Sequence, residues 1–341
     1  MVARYAYVNA IVGGMKSFLL EEQQYKVLIE STTLDDAFNF LKTSTHYGKK
    51  LGKVAGASIY EIELILFENL TEEYGKIIRA LHKNARKFAE KYAEKCVINT
   101  VKSLIISKIS GEKSDLLLIP YGNLSRETIE KLIELESVEE MIENLKFVGF
   151  YHILKENIAK TRESFYLLSA ALDRYYYTNL YKTMQDLTKE DRSIIERLIG
   201  GEVDIKNLLL ILRLRGNTEE EVWKLLIPQK YKLKDNELRI FFNTVKPEEI
   251  ISQMPPNPYS EFIIRGIKRY KETNSFLSLE KELRKYLITS YKKCFYGERF
   301  NIGVPLAYLT LKENEIKNII AILRGKEANL PPSEITKYLT L

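Results

Sequence analysis

The 341-residue sequence has few of the residues on which disulfide-rich, strand-rich or membrane-spanning chains depend. Its two cysteines, Cys96 and Cys294, are far apart in sequence and form no CxxC pair. This excludes a disulfide framework and a zinc knuckle, and predicts two reduced, buried thiols. Only 9 prolines and 16 glycines interrupt the chain, too few for the closely spaced turns of an all-β fold. The longest apolar runs, such as residues 208–212, fall far short of the roughly 20 residues of a transmembrane helix.

Charge of one sign is not concentrated anywhere in the chain. Lys and Arg number 52 and Asp and Glu 46, a formal net charge of +6, and the two signs are interspersed. Such mixing is typical of a solvated helical surface rather than of a nucleic-acid site. The first twenty residues carry an early Arg4 and an interrupted apolar stretch without a small-residue cleavage site. We therefore expect no secretory signal and a cytoplasmic location.

The abundant residues are those of helical proteins. Hydrophobic side chains make up 45% of the sequence and charged ones 29%, and Leu, Ile, Lys and Glu dominate. These residues lose little side-chain freedom in a helix, so the composition predicts an all-α fold. The length is sufficient for a large core and for two or three domains.

Internal repetition is the most informative pattern in the sequence, because a repeat fixes the architecture. Three segments align: LIESTTLDDAFNFLKTSTHY from Leu28, LIELESVEEMIENLKFVGF from Leu132, and FFNTVKPEEIISQMPPNPY from Phe241. Each has a polar or proline start, then an acidic pair, then an apolar helical pattern. The segments predict a helix start in each of three related units.

The chemistry of these starts favours helix capping. Thr33 and Ser137 can accept hydrogen bonds from free backbone N–H groups, with Asp36 and Glu140 three residues later as in a capping box. In the third copy, Pro247 suits the first turn of a helix. The acidic pairs then lie at the positive end of each helix dipole.

A second triplet has nearly the same spacing. VKSLIISKI from Val101, IKNLLLILR from Ile205 and IKNIIAILR from Ile316 each place a lysine before an almost wholly apolar stretch, which predicts a buried central helix in each unit. Lys102 and Lys206 lie 104 positions apart, as do Asp35 and Glu139 of the first triplet. Two independent patterns therefore give the same repeat length.

The sequence LLIP recurs at residues 117–120 and 225–228, where proline ends a helix. We therefore predict three helical units at residues 1–115, 116–225 and 226–341. Three units of roughly 110 residues can stack in a line or close as a pseudo-threefold ring, and the spacing alone does not choose between them.

Each predicted unit also has an acidic residue in a helical pattern upstream of its central lysine. An ion pair between two helices of each unit is one interpretation, and coincidence in a charge-rich sequence is the other. The three pairs in question are Glu63 with Lys102, Asp173 with Lys206, and Glu282 with Lys317.

The residue combinations of known catalytic and cofactor sites are absent from the sequence. The three histidines, at positions 46, 82 and 152, lack metal-binding spacing, and HExxH does not occur. GKKLGKVAG at residues 48–56 lacks Walker spacing, and no buried strand precedes GGMKS at residues 13–17. We predict no catalytic residue, no metal site and no cofactor.

Clusters of aromatic and basic residues permit a second interpretation. Tyr175, Tyr176 and Tyr177 could stack on bases, and residues 268–270 form a basic aromatic patch. Helix packing with polar hydroxyl tips explains the tyrosines more simply. No zinc finger or RNP motif is present, so a nucleic-acid-associated protein is the less favoured alternative.

Several long motifs resemble one protein family. ERFNIGVPLAYLTLKENEIKNIIAILRGKEANLPPSEI at residues 298–335 resembles the end of the C subunit of V-type and A-type ATPases, the equivalent of the d subunit of the eukaryotic pump. YAYVNAIVGGMKSFLL from Tyr5, LDRYYYTNLY from Leu172 and DIKNLLLILRLRGNTEEEVWKLLIP from Asp204 resemble that family in the same order. The chain departs from the family at residues 11–14, where basic residues are usual, and at residues 229–230, where glycine often follows LIP.

The resemblance implies a fold and a role. It implies three similar helical domains arranged with pseudo-threefold symmetry as a funnel, on the cytoplasmic face of the membrane without crossing it. It also implies a non-catalytic member of the central stalk that joins the central shaft subunits, of D and F type, to the proteolipid ring of a rotary ATPase.

Basic residues beside the matched apolar helices are our candidates for partner binding. Cations at such positions can steer acidic partners, although solvated helix ends are the simpler interpretation for each one. The candidates are Lys206, Arg213, Arg215, Lys317 and Arg324.

Two other classes of function stay open from the sequence. A helical scaffold or nucleic-acid-associated protein fits the mild basicity, and would bind with a steep salt dependence. A hydrolase would need a pocket assembled from dispersed residues such as Asp173, Tyr176 and Glu282.

Overall fold

A computed structural model describes residues 2–52, 58–111, 117–161, 165–273, 275–297 and 300–341. Within these ranges the chain forms helices and no strand, apart from one isolated bridge between Tyr121 and Leu124. The all-α prediction is confirmed.

The described helices divide into long helices that build the body and short ones that connect and cover them. In chain order they are α1 (Val2–Lys16), α2 (Glu22–Glu30), α3 (Leu34–Ser44), α4 (Gly48–Leu51), α5 (Ile59–Ala80), α6 (Lys83–Ser110), α7 (Arg126–Glu134), α8 (Val138–Glu143), α9 (Tyr151–Thr161), α10 (Phe165–Met184), α11 (Lys189–Arg213), α12 (Glu219–Leu225), α13 (Asp235–Asn243), α14 (Pro247–Gln253), α15 (Ser260–Thr273), α16 (Leu277–Lys292), α17 (Gly303–Glu327) and α18 (Pro332–Tyr338). A 3-10 turn at Lys293–Phe295 follows α16.

The predicted helix starts are confirmed by the cap geometry. Thr33 accepts a hydrogen bond from the backbone N–H of Asp36, whose carboxylate accepts one from the backbone of Thr33. Ser137 also accepts from the backbone N–H of Glu140, but the Glu140 carboxylate accepts from the backbone N–H of Glu136 instead of Ser137, so only half of the predicted capping box forms there. Pro247 begins α14. These caps satisfy N–H groups that a helix start leaves unpaired.

Six long helices pack in a closed cycle. They form three helix pairs: α5 with α6, α10 with α11, and α16 with α17. The second helix of each pair packs on the first helix of the next pair, so α6 contacts α10, α11 contacts α16, and α17 contacts α5. We call these three junctions the seams. The second triplet of the sequence repeat lies in α6, α11 and α17, as expected for central helices.

Apolar packing holds the cycle together. Most residues of α17 are buried, including Leu306, Ile316, Ile319 and Leu323. The side chains of Cys96 and Cys294 are reduced and buried, as predicted. Burial of this kind contributes about 25 cal/mol for each Å² of apolar surface removed from water.

A repeated polar contact ties each central helix to an extended segment. A side chain on the helix both donates to and accepts from the backbone of one residue in that segment, which satisfies both polar groups of that residue. The contact joins Thr100 to Ile119, Asn207 to Ile227 and Asn318 to Thr340. The bonds donated to the backbone carbonyl are 3.1, 2.9 and 2.9 Å long, and those accepted from the backbone N–H are 2.8, 2.8 and 3.0 Å long.

Two of these contacts fall on the recurrent LLIP sequence, at Ile119 and Ile227. The recurrence therefore has a structural cause, since the same backbone position is held each time. The three-unit division at residues 115 and 225 and the pseudo-threefold funnel stay predictions; residue 115 lies outside the described residues.

Candidate functional site

A cavity of about 270 Å³ lies where α6, α10, α11 and α16 meet. It is therefore bordered by helices from all three helix pairs. Its lining is rich in polar and charged groups, namely Asn99, Lys102, Tyr166, Ser169, Asp173, Lys206, Asn207, Arg213 and Glu280, with Ala170, Leu209, Leu210, Leu225 and Ile227 completing it.

Asp173 on α10 is the central carboxylate of the cavity. Its Oδ1 lies 2.8 Å from Nζ of Lys102 on α6, and its Oδ2 lies 3.2 Å from Nζ of Lys206 on α11. Burial alone would raise the pKa of Asp173, but the charges of the two lysines outweigh it and hold the pKa below its usual value. Asp173 is therefore ionised and joins three helices.

Lys102 is the most enclosed of the cavity cations, with 12% of its side chain exposed. Burial lowers the pKa of Lys102 to about 8, Asp173 opposes the fall, and the nearby charges of Lys206 and Arg213 add to it. A charged lysine in this position gains from any further negative group that enters the cavity.

Arg213 forms the other side of the cavity at the end of α11. Its Nη2 lies 2.6 Å from the carboxylate of Glu280 on α16, and its guanidinium lies 5.4 Å from the ring centre of Tyr166. Tyr166 is half-exposed. With Lys102 and Lys206, the cavity holds three cations against the two carboxylates of Asp173 and Glu280, an excess of one positive charge.

The five candidate residues do not form one site. Lys206 and Arg213 line the cavity together. Arg215 donates from Nε and Nη2 to the carbonyl of Phe241 (3.1 and 2.7 Å), and so caps the end of α13. Burial lowers the pKa of Arg215. These contacts give Arg215 a structural role, because they fix α13 beside the end of α11.

The remaining two candidates lie on α17 and contact other residues. Lys317 Nζ lies 2.7 Å from Glu313, one turn away. Arg324 forms a two-pronged ion pair with Glu63 of α5, at 2.5 and 2.8 Å, and the Glu63 side chain is 6% exposed. Fork-shaped pairs of this kind are strong and directional.

Of the three acid–lysine pairs considered from the sequence, one is formed in the structure. Asp173 does pair with Lys206. Glu63 pairs with Arg324 instead of Lys102, and Glu282 pairs with arginines of α15 instead of Lys317. The ion-pair interpretation therefore holds for the second unit, and the coincidence interpretation for the first and third units.

Ion pairs instead cross every seam. In each case the cation lies on the second helix of one pair and the carboxylate on the first helix of the next, a head-to-tail arrangement. The three seam pairs are Lys102 with Asp173 at 2.8 Å, Arg213 with Glu280 at 2.6 Å, and Arg324 with Glu63 at 2.5 Å.

Sequence reasoning missed part of the cavity. Lys102 could have been found, because it occupies the repeat position of Lys206. Glu280, Asn99 and Ser169 have no motif that marks them. They join the cavity because of the angle at which helices from different parts of the chain meet.

Residues proposed for other chemistry are engaged elsewhere. Tyr176 is buried and its hydroxyl donates to the carbonyl of Tyr92 at 2.8 Å, and Tyr177 donates to Glu202 at 3.0 Å. They pack within the helical body, as the simpler interpretation predicted. Asp173 lines the cavity but Tyr176 and Glu282 do not, so this cavity does not unite the proposed hydrolase residues.

Two further features concern the described residues only. None of their helices combines the length and apolarity that a membrane span requires. No group of three or more His, Cys, Asp or Glu side chains in the same residues is arranged to hold a metal ion. Residues 53–56 of the glycine-rich stretch at 48–56 lie outside the described part, and residues 48–51 form α4.

Comparison with known proteins identifies the family of this all-helical chain. A profile of the family described as ATP synthase (C/AC39) subunit matches residues 8–338. The chain belongs to this family, whose members are structural rather than catalytic subunits of the ATP synthase complex. The resemblance found in the sequence is confirmed.

Individual relatives align along nearly the whole chain. The C subunit of the A-type ATP synthase of Methanocaldococcus jannaschii is 31% identical over 347 residues, covering 99% of this chain and 86% of the relative. The same subunit of Methanosphaera stadtmanae is 29% identical, with 98% and 87% covered. That of Pyrococcus furiosus is 26% identical, with 98% and 90% covered.

Proposed function

We propose that this chain belongs to the central stalk of an A-type rotary ATP synthase. It would join the central shaft subunits, of D and F type, to the proteolipid ring at the cytoplasmic face of the membrane, and perform no chemistry itself. The observation that carries the proposal is the family match along residues 8–338. We propose that the three helical units form a funnel that receives the end of the shaft.

The packing supports a coupling role on physical grounds. A part that passes rotation from one protein to another must resist twisting between its own segments. Here each seam combines buried apolar packing with an ion pair, and α17 closes the cycle back onto α5. Dense interiors of this kind have low compressibility and transmit strain.

The contacts that the five predicted cations make within the chain indicate which of them can bind a partner. Arg215 and Arg324 hold backbone and carboxylate groups of the chain itself, and Lys317 pairs within its own helix. Lys206 and Arg213 also pair with carboxylates of the chain, Asp173 and Glu280, but they line the cavity together and have 38% and 41% of their side chains exposed. We therefore propose these two as partner contacts.

The test is to compare the assembled complex with and without this chain in sealed vesicles. We expect the complex without the chain to retain ATP hydrolysis but to lose ATP-driven ion transport, because shaft and ring are no longer joined. Adding back the purified chain should restore transport. Ion transport that persists at full rate without the chain would contradict the proposal.

The less favoured alternative, a nucleic-acid-associated protein, makes a different prediction. It requires recovery of a nucleic-acid complex without ATP synthase subunits, and a binding constant that falls steeply with salt. Purification from native membranes in mild detergent, with partners identified by mass spectrometry, distinguishes the two.

A further inference from the structure

The cavity at the meeting point of the three helix pairs contains more hydrogen-bond donors than acceptors. Arg213 uses one N–H of its five on Glu280, and the side chains of Asn99 and Ser169 have no hydrogen-bond partner among the described residues. Lys102 and Lys206 each direct an ammonium group to the single carboxylate of Asp173. Donors therefore exceed acceptors at this place.

The net charge of the cavity also favours a ligand that accepts hydrogen bonds, because it favours an anion. The cavity has three cations and two carboxylates, and Lys102 is held in a largely enclosed position beside two other cations. Repulsion among like charges that are partly removed from water is relieved when an anion enters. Electrostatics and hydrogen bonding thus favour the same kind of ligand.

The volume of the cavity is sufficient for a small ion. The cavity of about 270 Å³ exceeds by several fold the ~30 Å³ that one water occupies in the liquid. A tetrahedral oxyanion with some of its hydration water fits this space.

We propose that this cavity is a binding site for one oxyanion group, either inorganic phosphate or the carboxylate of a partner's acidic side chain. Lys102, Lys206 and Arg213 supply charged donors, and Asn99 and Ser169 supply neutral ones. Because these residues come from α6, α10 and α11 and Arg213 is held by α16, a bound anion connects all three helix pairs. The carboxylate source rests on the proposed function, whereas the phosphate source does not.

The first experiment titrates inorganic phosphate into the isolated full-length chain by calorimetry, at pH 7 and at constant ionic strength maintained with chloride. We expect one site per chain. Lys206→Gln should weaken phosphate binding by about tenfold or more, the value of one lost charge-assisted hydrogen bond. Absence of saturable phosphate binding to the wild-type chain overturns the proposal.

The matched control is Lys317→Gln. Lys317 occupies the same repeat position as Lys206, with 35% against 38% of the side chain exposed, but it lies outside the cavity. We expect this variant to bind phosphate as the wild type does. Equal weakening in both variants would mean that phosphate responds to net surface charge alone, and would overturn the cavity assignment.

A third variant reverses the direction of the effect. Glu280→Gln removes a competing carboxylate and releases Arg213, so phosphate should bind several-fold more tightly. Misfolding cannot produce such a gain. Unchanged or weaker phosphate binding in this variant, with the helical circular dichroism intact, counts against the proposal.

The second arm repeats the titration on the chain assembled with the shaft subunits. If phosphate still binds, the free ion is the ligand; if phosphate binding is lost on assembly, a partner's carboxylate fills the site. The phosphate titration tests the cavity and the transport assay tests the coupling role, so either proposal can be contradicted without the other. Ion transport that persists without the chain, together with saturable phosphate binding by the isolated chain, would overturn only the proposed function.

Discussion

A single histidine shows how burial and charge combine at the residue scale. His46 is half-buried, and its Nε2 lies 2.9 Å from Nζ of the fully buried Lys312, which also lies 2.8 Å from Glu315. Burial lowers the pKa of His46 to about 3, and the charges of Lys312 and Lys49 contribute. The ring is therefore neutral and accepts a hydrogen bond from the lysine.

This arrangement predicts a contribution to acid sensitivity. The unfolded chain takes up a proton at His46 near pH 6.5, whereas the folded chain resists it down to about pH 3. The unfolded state therefore binds more protons in this window, and stability falls as the pH falls from about 6.5. Above pH 6.5 the group has no effect, because it is neutral in both states.

The variant His46→Gln keeps an acceptor for Lys312 but does not titrate. We expect its urea-unfolding free energy to fall less between pH 7 and pH 4 than that of the wild type. Comparing the two chains cancels the carboxylates that titrate in both. Parallel stability curves over this range would show that His46 does not contribute.

At the scale of single elements, the polar contacts between central helices and extended segments can be tested one at a time. Asn207→Leu leaves the N–H and C=O of Ile227 buried without partners. At about 1–3 kcal/mol for each group, two such groups cost about 2–6 kcal/mol of unfolding free energy. Urea unfolding of the purified variant measures this loss.

The control for this change is Asn144→Leu. Asn144 is exposed and donates only to the carbonyl of Glu140 within its own turn. Its replacement should cost less than about 0.5 kcal/mol, as for most surface changes. A loss as large as that of Asn207→Leu would indicate that hydrophobic substitution itself, not the lost backbone contact, is responsible.

A second prediction at this scale concerns the close approach of α15 and α16. A Cβ atom on Gly266 would lie 2.6 Å from Cα of Leu279, a backbone atom that cannot move aside. Gly266→Ala should therefore lower the unfolding free energy by about 1–3 kcal/mol. Thermal and urea unfolding both report it.

Gly13→Ala provides the opposite case. Gly13 lies inside α1, and its added Cβ meets nothing within 4 Å. We expect a gain of about 0.5–1 kcal/mol, because alanine loses less backbone freedom in a helix. If both alanine variants shift stability in the same direction, the packing argument for Gly266 fails.

These elements also show what the sequence could predict. Thr33, Ser137 and Pro247 were recognisable as helix starts because capping depends on residues only a few positions apart. The buried central helices followed from apolar periodicity. The partners of Glu63 and Glu282 were not predictable, since they depend on which helices meet, and repeat spacing does not determine helix angles.

At the scale of the whole molecule, the seam between α17 and α5 closes the cycle. Arg324→Met removes the guanidinium that forms the two-pronged ion pair with the buried Glu63. Breaking one partner of a buried pair costs about 3–5 kcal/mol, so we expect a loss in that range by urea unfolding. Because α17 and α5 lose a shared contact, hydrogen exchange should accelerate in both helices.

The double variant Glu63→Leu with Arg324→Leu separates charge from closure. Replacing both partners removes the buried carboxylate together with the arginine, and should recover part of the stability lost in the single variant. Lys337→Gln, which breaks an exposed pair with Glu334, should cost less than about 1 kcal/mol. A double variant less stable than Arg324→Met would mean that Glu63 has another role at the seam.

The same seam sets an order of folding. Glu63 and Arg324 are separated by 261 residues, whereas Lys102 and Asp173 are separated by 71 and Arg213 and Glu280 by 67. Contacts between distant residues form late, because more chain entropy is lost before they are made. During synthesis the carboxylate of Glu63 therefore cannot pair with Arg324 until α17 is complete, so the unfinished chain lacks the contact that closes the cycle of six helices.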